Sequence, residues 1–421
     1  MEVMKIYGPT RFSGSVDVQG SKNAVLPMIA AAVINAGVTV LRNCPDISDV
    51  HDALDILKTI GCDVSFTGGV VRIDSSAPIS SYIPECAMRR IRASFIFTGA
   101  LLARCKEFTV SQPGGCNIGL RPVDIHLEAF KKLGANICIS ASEITCKGAS
   151  LTPCDITLRF PSVGATENVM ILASSLKGTT RIINAAREPE IEDLQYMLTS
   201  MGAKVSGAGS SVIVINGTDS SVNLDYTVMP DRVDTATYLT ALACGGGSLT
   251  INKTNAKHLL SYINILKKCG MDIELHDDCI KACKSGRLHG NVSVTTTPYP
   301  GFATDMQSLL MSVLCLTDGI GLIKENIFEN RFCLADTLIR MGADIRIYRR
   351  TASVRGVRAL KPVCGCVCDL RSGAALAAAM MSAEGISELT NIHYIDRGYE
   401  DFAGKYQSIG AKIERIERID A

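Results

Sequence analysis

A handful of short stretches in this chain gather charge, glycine and single reactive side chains in the way that anion chemistry requires. Gln19-Gly20-Ser21-Lys22-Asn23 reads as a helix opening, where backbone N–H groups and a lysine together make an anion site. An exposed lysine beside an ordinary cap fits that stretch equally well. Arg89-Arg90-Ile91-Arg92 places three cations before an apolar helix, suited either to an anion or to a solvated face. The segment from Ser111 to Asp124 is the most informative. Pro113, Gly114, Gly115, Asn117 and Gly119 make it a loop, and Cys116 sits in it five residues before Arg121. A cysteine near cations has a lowered pKa and serves as nucleophile or acid. Asp305, in Ala303-Thr304-Asp305, is either a helix N-cap or a general base. Arg331, Arg371 and Arg397 stand in Glu329-Asn330-Arg331-Phe332, Asp369-Leu370-Arg371-Ser372 and Asp396-Arg397-Gly398-Tyr399-Glu400. They form a second cationic set, because the guanidinium fork grips carboxylate or phosphate bidentately. Surface ion pairing is the plain alternative for each.

The commonest nucleotide, zinc-protease and hydrolase motifs (GxxxxGK[ST], GxGxxG, HExxH, GxSxG) are absent from the sequence. Forty-three Lys and Arg against 42 Asp and Glu leave a net charge of +1, and aromatics are 5% with no Trp. Neither the basic excess nor the stacking rings of a nucleic-acid binder are present. Of 17 cysteines, Cys116 is the one assigned to chemistry, because the preceding glycines remove side-chain cover. The rest are expected to be reduced, mostly buried and hydrophobe-like. Cys364, Cys366 and Cys368 are expected on one face of a strand, since their period is two. With no C-x-x-C pair and six scattered His, no metal site is expected.

These residues must be held by regular elements, and one pattern recurs six times. It reads apolar, two residues, apolar, Gly, then a strand beginning. Its copies are Leu57 to Val64, Phe130 to Ile137, Leu198 to Val205, Leu266 to Ile273, Leu338 to Ile345 and Tyr406 to Ile413. The glycines, at 61, 134, 202, 270, 342 and 410, lie 68 to 73 residues apart. Apolar residues three apart close the buried face of a helix, and glycine supplies its left-handed end. Each unit also carries an earlier, small-residue helix that runs into a glycine and a strand, as in Ala30-Ala31-Ala32 to Gly37 and Ala377-Ala378-Ala379 to Gly385. The Ala-rich helices are expected to be buried on all sides within a shell of sheets.

A chain of 421 residues, 47% hydrophobic, exceeds one domain and is globular. Six units divide as three plus three, with a hinge near Pro230 and an expected ligand cleft between the halves. No basic stretch followed by an apolar core opens the chain. The longest apolar run, Ala24 to Ile34, is broken by Pro27 and is short of the roughly 20 residues that span a bilayer. The expectation is a cytoplasmic chain with no membrane partner.

At these residues the chain resembles the enolpyruvyl transferases that act on UDP-N-acetylglucosamine in peptidoglycan precursor synthesis. The resemblance covers essentially the whole chain and is carried by GSKNAVLP (20–27), IRAS (91–94), PGGCNIGLRPVD (113–124), PSVGATEN (161–168), NAAREPEIEDL (184–194), TDMQ (304–307), FENRF (328–332) and IDRGYE (395–400). It implies an α/β fold, a two-domain inside-out α/β barrel with three repeats per domain. The domains would be 22–229, carrying the Cys116 loop, and 1–21 with 230–421, and the active site would lie in the interdomain cleft. It implies transfer of the enolpyruvyl group of phosphoenolpyruvate to the sugar 3′-hydroxyl, with no metal or organic cofactor, and the chain is expected to act as a monomer. Lys22, Arg121 and Arg397 would hold the phosphate of phosphoenolpyruvate, and Arg331 and Arg371 its carboxylate, with Asn23 also in contact. Asn23, Arg92, Arg121, Pro122, Val123, Asp124, Ile125, Ser162, Val163, Gly164, Asp305 and Ile327 would line the sugar-nucleotide site. Cys116 would be the proton donor that also bonds to phosphoenolpyruvate and to fosfomycin, and Asp305 the base. Lys22 and Arg397 would share in catalysis. Ser48 and Phe160 stand where some members carry Lys. The rival readings are a 5-enolpyruvylshikimate-3-phosphate synthase and a non-catalytic sugar-nucleotide-binding repeat protein.

Overall fold

The six glycines of the recurrent motif all adopt a left-handed backbone, with φ from 95° to 107°. In every copy the residue after the glycine donates its N–H to the carbonyl five positions earlier: Cys62 to Leu57, Ala135 to Phe130, Ala203 to Leu198, Met271 to Leu266, Ala343 to Leu338 and Ala411 to Tyr406. The glycine N–H bonds the next carbonyl along, as Gly61 does to Lys58 and Gly410 to Gln407. This double closure satisfies carbonyls that the helix end would otherwise leave bare. It turns the chain directly into a strand, as in Asp63–Thr67, Asp272–Leu275 and Lys412–Glu417.

The chain is seen here as a computed structural model that describes residues 2–111, 123–219 and 221–417. It is a mixed α/β protein of two compact units. Of the described residues, one unit takes 20–111, 123–219 and 221–229, and the other takes 2–19 and 230–417. The described strands form six four-stranded sheets, three in each unit. In one of them Leu224–Thr227 pairs parallel with Val38–Arg42, which pairs antiparallel with Val70–Asp74, which pairs antiparallel with Asp63–Thr67. The other sheets keep the same directions. The first strand, Glu2–Gly8, is central in its sheet, between Gly385–Thr390 and Lys412–Glu417.

The small-residue helices are the cores of the units. Lys22–Ala31, Phe97–Cys105 and Val163–Ala173 pack on one another in one unit, and Arg232–Gly245, Gln307–Leu314 and Leu370–Met380 in the other. From Arg232 to Cys244 every residue is buried, and so is every residue from Arg371 to Met380. Alanine, glycine, serine and threonine make this possible, because small side chains let three helices approach closely while hydroxyls bond back to their own carbonyls. Thr237 and Thr240 donate to Val233 and Ala236 in this way. The consequence for function is positional: the polar N-terminal turns of these enclosed helices carry Lys22, Ser162, Asp231 and Asp369.

Two expectations about cysteine are corrected. The strand holding Cys364 and Cys366 ends at Cys366, so Cys368 does not share its face but precedes the cap of the next helix. Nor are the cysteines outside the Cys116 loop all reduced or mostly buried, because Cys333 and Cys368 form a disulfide, and Cys86, Cys138, Cys364 and Cys366 are exposed where their helix and strands face outward. The two sulfurs come from segments 35 residues apart, a proximity that no local pattern announces.

Candidate functional site

In the unit built around Lys22–Ala31, Ser21 caps the helix, its Oγ accepting the Ala24 N–H at 3.3 Å. Lys22 follows and is only 7% exposed, so the exposed-lysine reading does not hold. Its ammonium lies 2.7 Å from a carboxylate oxygen of Asp49, itself buried on the helix Ser48–Ile60. A buried cation is retained only when a carboxylate stands beside it, and Asp49 is that partner. Asn23, half-buried, is the one residue of this helix not enclosed.

The arginine cluster divides by geometry. Arg89 pairs with Glu85 at 2.6 Å and Arg90 with Asp55 at 3.2 Å, all four groups about half exposed or more. Those two fit the solvated-face reading. Arg92 differs, being half-buried where it opens the turn Arg92–Ile96. Val123, Asp124 and Ile125 begin the helix Asp124–Lys132, where one Asp124 oxygen accepts the Ile125 N–H at 2.8 Å and the other meets Arg159. Ser162 caps Val163–Ala173, whose first turn holds Gly164. A Cβ on Gly164 would stand 3.2 Å from the His126 ring, so the two helices meet here at glycine's expense of a side chain. His126 in turn bonds the Asn168 amide at 2.8 Å, and Asn168 also accepts the Gly99 N–H and donates to Phe95. Three elements are thereby fixed around the Ser162 turn. Ser48 begins its helix, and Phe160 is 42% exposed. Cys116, Arg121 and Pro122, with the glycines beside them, lie outside the described residues.

In the other unit Asp305 lies in the turn Thr304–Met306, capped by the backbone of Ala303 without a side chain. The cap reading of Asp305 therefore fails. Its carboxylate meets Arg331 Nη2 at 2.7 Å and lies 3.7 Å from Arg371 Nη2. Both arginines are buried, at 4% exposure each, while Asp305 is partly open. Asp369 completes the group. One of its oxygens accepts the Arg371 and Ser372 N–H groups at 2.9 and 3.2 Å, capping Leu370–Met380, and stands 3.5 Å from Arg331 Nη1. Two guanidiniums thus face two carboxylates, and Arg331 Nε, also buried, has no hydrogen-bond partner among the described residues. An orphaned N–H on a buried cation is a ready donor to an incoming anion.

Arg371 stacks 5.8 Å from the Tyr399 ring and donates to its hydroxyl at 3.4 Å, and that hydroxyl bonds Thr237 at 2.9 Å. Burial opposes its charge, but Asp305 and Tyr399 hold the guanidinium above its ordinary pKa, so it stays cationic. Ile327 is placed by Glu325, a buried carboxylate that accepts the Ile327 and Phe328 N–H groups at 2.7 and 3.0 Å and the Thr296 and Thr304 hydroxyls. One side chain therefore joins the Ile327 loop to the Asp305 turn. Arg397 ends the short helix His393–Asp396 and is half-buried.

Sequence reasoning did not single out Asp49, Glu325 or Tyr399, and it read Asp369 only as part of a charged edge. Each looks locally like an ordinary acidic or aromatic position, and what marks it is a partner from elsewhere in the fold. Among the described residues one group could offer three metal ligands, Cys333, Cys368 and Asp369. Two of those three atoms are spent on each other in the disulfide.

Residues 6–406 match the family model of EPSP synthase (3-phosphoshikimate 1-carboxyvinyltransferase). The chain is 44% identical over 416 residues to UDP-N-acetylglucosamine 1-carboxyvinyltransferase 2 of Caldanaerobacter subterraneus, covering 99% of this chain and 100% of that protein. It is 40% identical over 422 residues to UDP-N-acetylglucosamine 1-carboxyvinyltransferase of Thermotoga petrophila, with 99% and 100% covered. Among solved structures it resembles the enolpyruvyl transferase NikO of Streptomyces tendae, with a TM-score of 0.88, 23% identity and 98% of each chain covered. EPSP synthase of Acinetobacter baumannii matches with a TM-score of 0.77 at 17% identity, over 99% of this chain and 100% of that one. At those identities the structural likeness speaks for the fold alone.

Proposed function

Since the chain belongs to the EPSP synthase family of carboxyvinyltransferases, on its UDP-N-acetylglucosamine 1-carboxyvinyltransferase branch, we propose that it transfers the enolpyruvyl group of phosphoenolpyruvate to the 3′-hydroxyl of UDP-N-acetylglucosamine and releases phosphate. The observation that carries this is the full-length identity of 40% and more with proteins named for that reaction. The shikimate 3-phosphate alternative has only fold-level structural likeness and the family model's description behind it.

In the reading we favour, each unit is an inside-out barrel, three repeats with their sheets outside and their small-residue helices within. Lys22, Arg121 and Arg397 hold the phosphate of phosphoenolpyruvate, with Asn23 beside it, and Arg331 and Arg371 hold the carboxylate. The buried guanidiniums and the orphaned Arg331 Nε support this, because a substrate with close to three negative charges needs fixed cations that also stabilise departing phosphate. Arg92, Val123, Asp124, Ile125, Ser162, Val163, Gly164 and Ile327, with Asn23, Arg121, Pro122 and Asp305, line the sugar-nucleotide site. Asp305 takes the proton of the 3′-hydroxyl as its oxygen attacks C2 of phosphoenolpyruvate, and Cys116 gives a proton to C3. The tetrahedral ketal then loses a proton from C3 and expels phosphate. No metal or organic cofactor enters this scheme. The reaction belongs to peptidoglycan precursor synthesis, hence to cell-wall growth and division. We place the protein in the cytoplasm as a monomer open to fosfomycin. No described helix is long and apolar enough to cross a membrane.

Phosphate release is the test. Release from phosphoenolpyruvate that requires UDP-N-acetylglucosamine supports the assignment. Release with shikimate 3-phosphate alone transfers it to the rival, and release with neither leaves a binding protein.

A further inference from the structure

Two segments carry the arginines assigned to the phosphoenolpyruvate carboxylate, and one covalent bond joins them. Arg331 stands two residues before Cys333, and Arg371 three residues after Cys368. The two cysteines are disulfide-bonded with their Cα atoms 6.5 Å apart. Both are half-buried, so a small thiol or disulfide reagent has partial access. Resting on the reading above that Arg331 and Arg371 bind this carboxylate, we propose that Cys333 and Cys368 are a reversible redox pair whose disulfide sets the spacing of the two guanidiniums and so tunes affinity for phosphoenolpyruvate.

The surroundings of the sulfurs give the pair a route to the site. Cys333 Sγ lies 3.3 Å from Asp369 Oδ2, and Cys368 Sγ lies 3.2 Å from Ser372 Oγ. In the disulfide neither sulfur carries a proton, so the contact with Asp369 has no donor. Reduction restores S–H groups, and Asp369 gains a donor on the oxygen next to the one that caps Leu370–Met380 and faces Arg331. The same event frees the Arg331 segment from the helix turn that carries Arg371. A two-arginine grip on one planar carboxylate tolerates only a few tenths of an ångström of slack, so the oxidised form binds more tightly. In the compartment proposed above, disulfides are rare and, where found, are usually transient and redox-sensing.

The step balances as thiol–disulfide exchange. Oxidised glutathione takes two electrons and two protons from the Cys333 and Cys368 thiols, one intramolecular S–S bond forms, and two glutathione thiols leave. Two readouts test it. First, purified protein equilibrated across reduced-to-oxidised glutathione ratios is quenched with N-ethylmaleimide and weighed intact, then digested. A reversible difference of two N-ethylmaleimide adducts between reduced and oxidised protein, traced to a cross-linked peptide pair spanning Cys333 and Cys368 and lost in Cys333→Ser, is the expected result. Second, the KM for phosphoenolpyruvate is expected to rise about 3- to 10-fold on reduction with kcat within about twofold, Cys333→Ser and Cys368→Ser being fixed at the reduced value. By reciprocity, saturating phosphoenolpyruvate shifts the glutathione ratio at half-oxidation by the factor that separates its dissociation constants for the reduced and oxidised forms, a readout that needs no turnover. Absence of the cross-link, or equal KM in both states with no shift by phosphoenolpyruvate, overturns the proposal. A shift by phosphoenolpyruvate without turnover on UDP-N-acetylglucosamine instead removes the assigned reaction and keeps the redox pair.

Discussion

Replacing Asp305 by Asn separates a charge that holds two arginines from a base that starts the reaction. The carboxylate is 2.7 Å from Arg331 and 3.7 Å from Arg371, and its side chain is 23% exposed. At an effective dielectric of about 20, a unit-charge pair at the shorter distance is worth about 6 kcal/mol before desolvation. Desolvation offsets most of that, and removing one partner of a buried pair generally costs about 3–5 kcal/mol. Three features bring the expected loss to about 2 kcal/mol: the exposure of Asp305, the acceptor oxygen that Asn retains, and the counter-charge of Asp369 still 3.5 Å from Arg331. For a unit of this size that is a drop of about 4–8 °C in Tm, so the variant folds. Loss of a general base lowers kcat about 10²-fold or more, close to 3 kcal/mol of barrier. The two effects part company in KM. Asp305 competes with the substrate carboxylate for both guanidiniums, so its neutralisation leaves the KM for phosphoenolpyruvate unchanged or lower. Steady-state phosphate release at saturating UDP-N-acetylglucosamine, with circular dichroism melts, reads all three quantities. A kcat within threefold of the parent refutes the base. A tenfold rise in KM with kcat intact makes Asp305 a positioning residue for the arginines.

Tyr399→Phe removes the hydroxyl that meets Arg371 and Thr237, at about 1–2 kcal/mol for the unsatisfied donor left behind. We expect the KM for phosphoenolpyruvate to rise about 3- to 10-fold in kinetic assays, and an unchanged KM would detach Tyr399 from the site. Burial pushes Asp234 up to about 7, against the pull of Lys405, whereas the unfolded side chain titrates near its ordinary value of about 4. Between those values the unfolded chain releases a proton that the folded one keeps, so stability is lost as pH rises through that window. Thermal melts of Asp234→Asn across pH 4 to 8 should show a shallower fall than the parent, and parallel curves would contradict the burial argument. In limited alkylation, exposed Cys86, Cys138, Cys364 and Cys366 should react early, while Cys44, Cys62, Cys146, Cys244 and Cys269, buried and pushed up to about 11 or 12, stay silent. Inactivation is expected to follow Cys116 labelling, read by peptide mass spectrometry. Activity that falls in step with Cys364 or Cys366 instead would remove Cys116 from the mechanism.

The parts of this protein that its sequence determined are those whose physics is local. Glycine after an apolar pair three apart ends a helix because only glycine takes a left-handed backbone cheaply, and Gly61, Gly134, Gly202, Gly270, Gly342 and Gly410 all do so. The buried character of the alanine-rich helices was legible for the same reason, since composition reports what surrounds a helix without naming it. Arg331, Arg371 and Asp305 stood out by residue type and loop setting. Which groups they meet did not, because each partner arrives from a distant segment. Asp305 is 26 residues from Arg331, and Asp49 is 27 from Lys22. Whether Lys22 was an exposed cap neighbour or a buried cation, and whether Asp305 capped a helix or faced two guanidiniums, turned on burial and distance. The Cys333–Cys368 bond belongs with these. A period of two argued that Cys368 lay along a strand with Cys364, but the strand stops at Cys366 and the helix cap at Asp369 turns the chain toward Cys333. Periodicity constrains only the side chains that stay within one element, and tertiary packing chooses the neighbours of those that leave it.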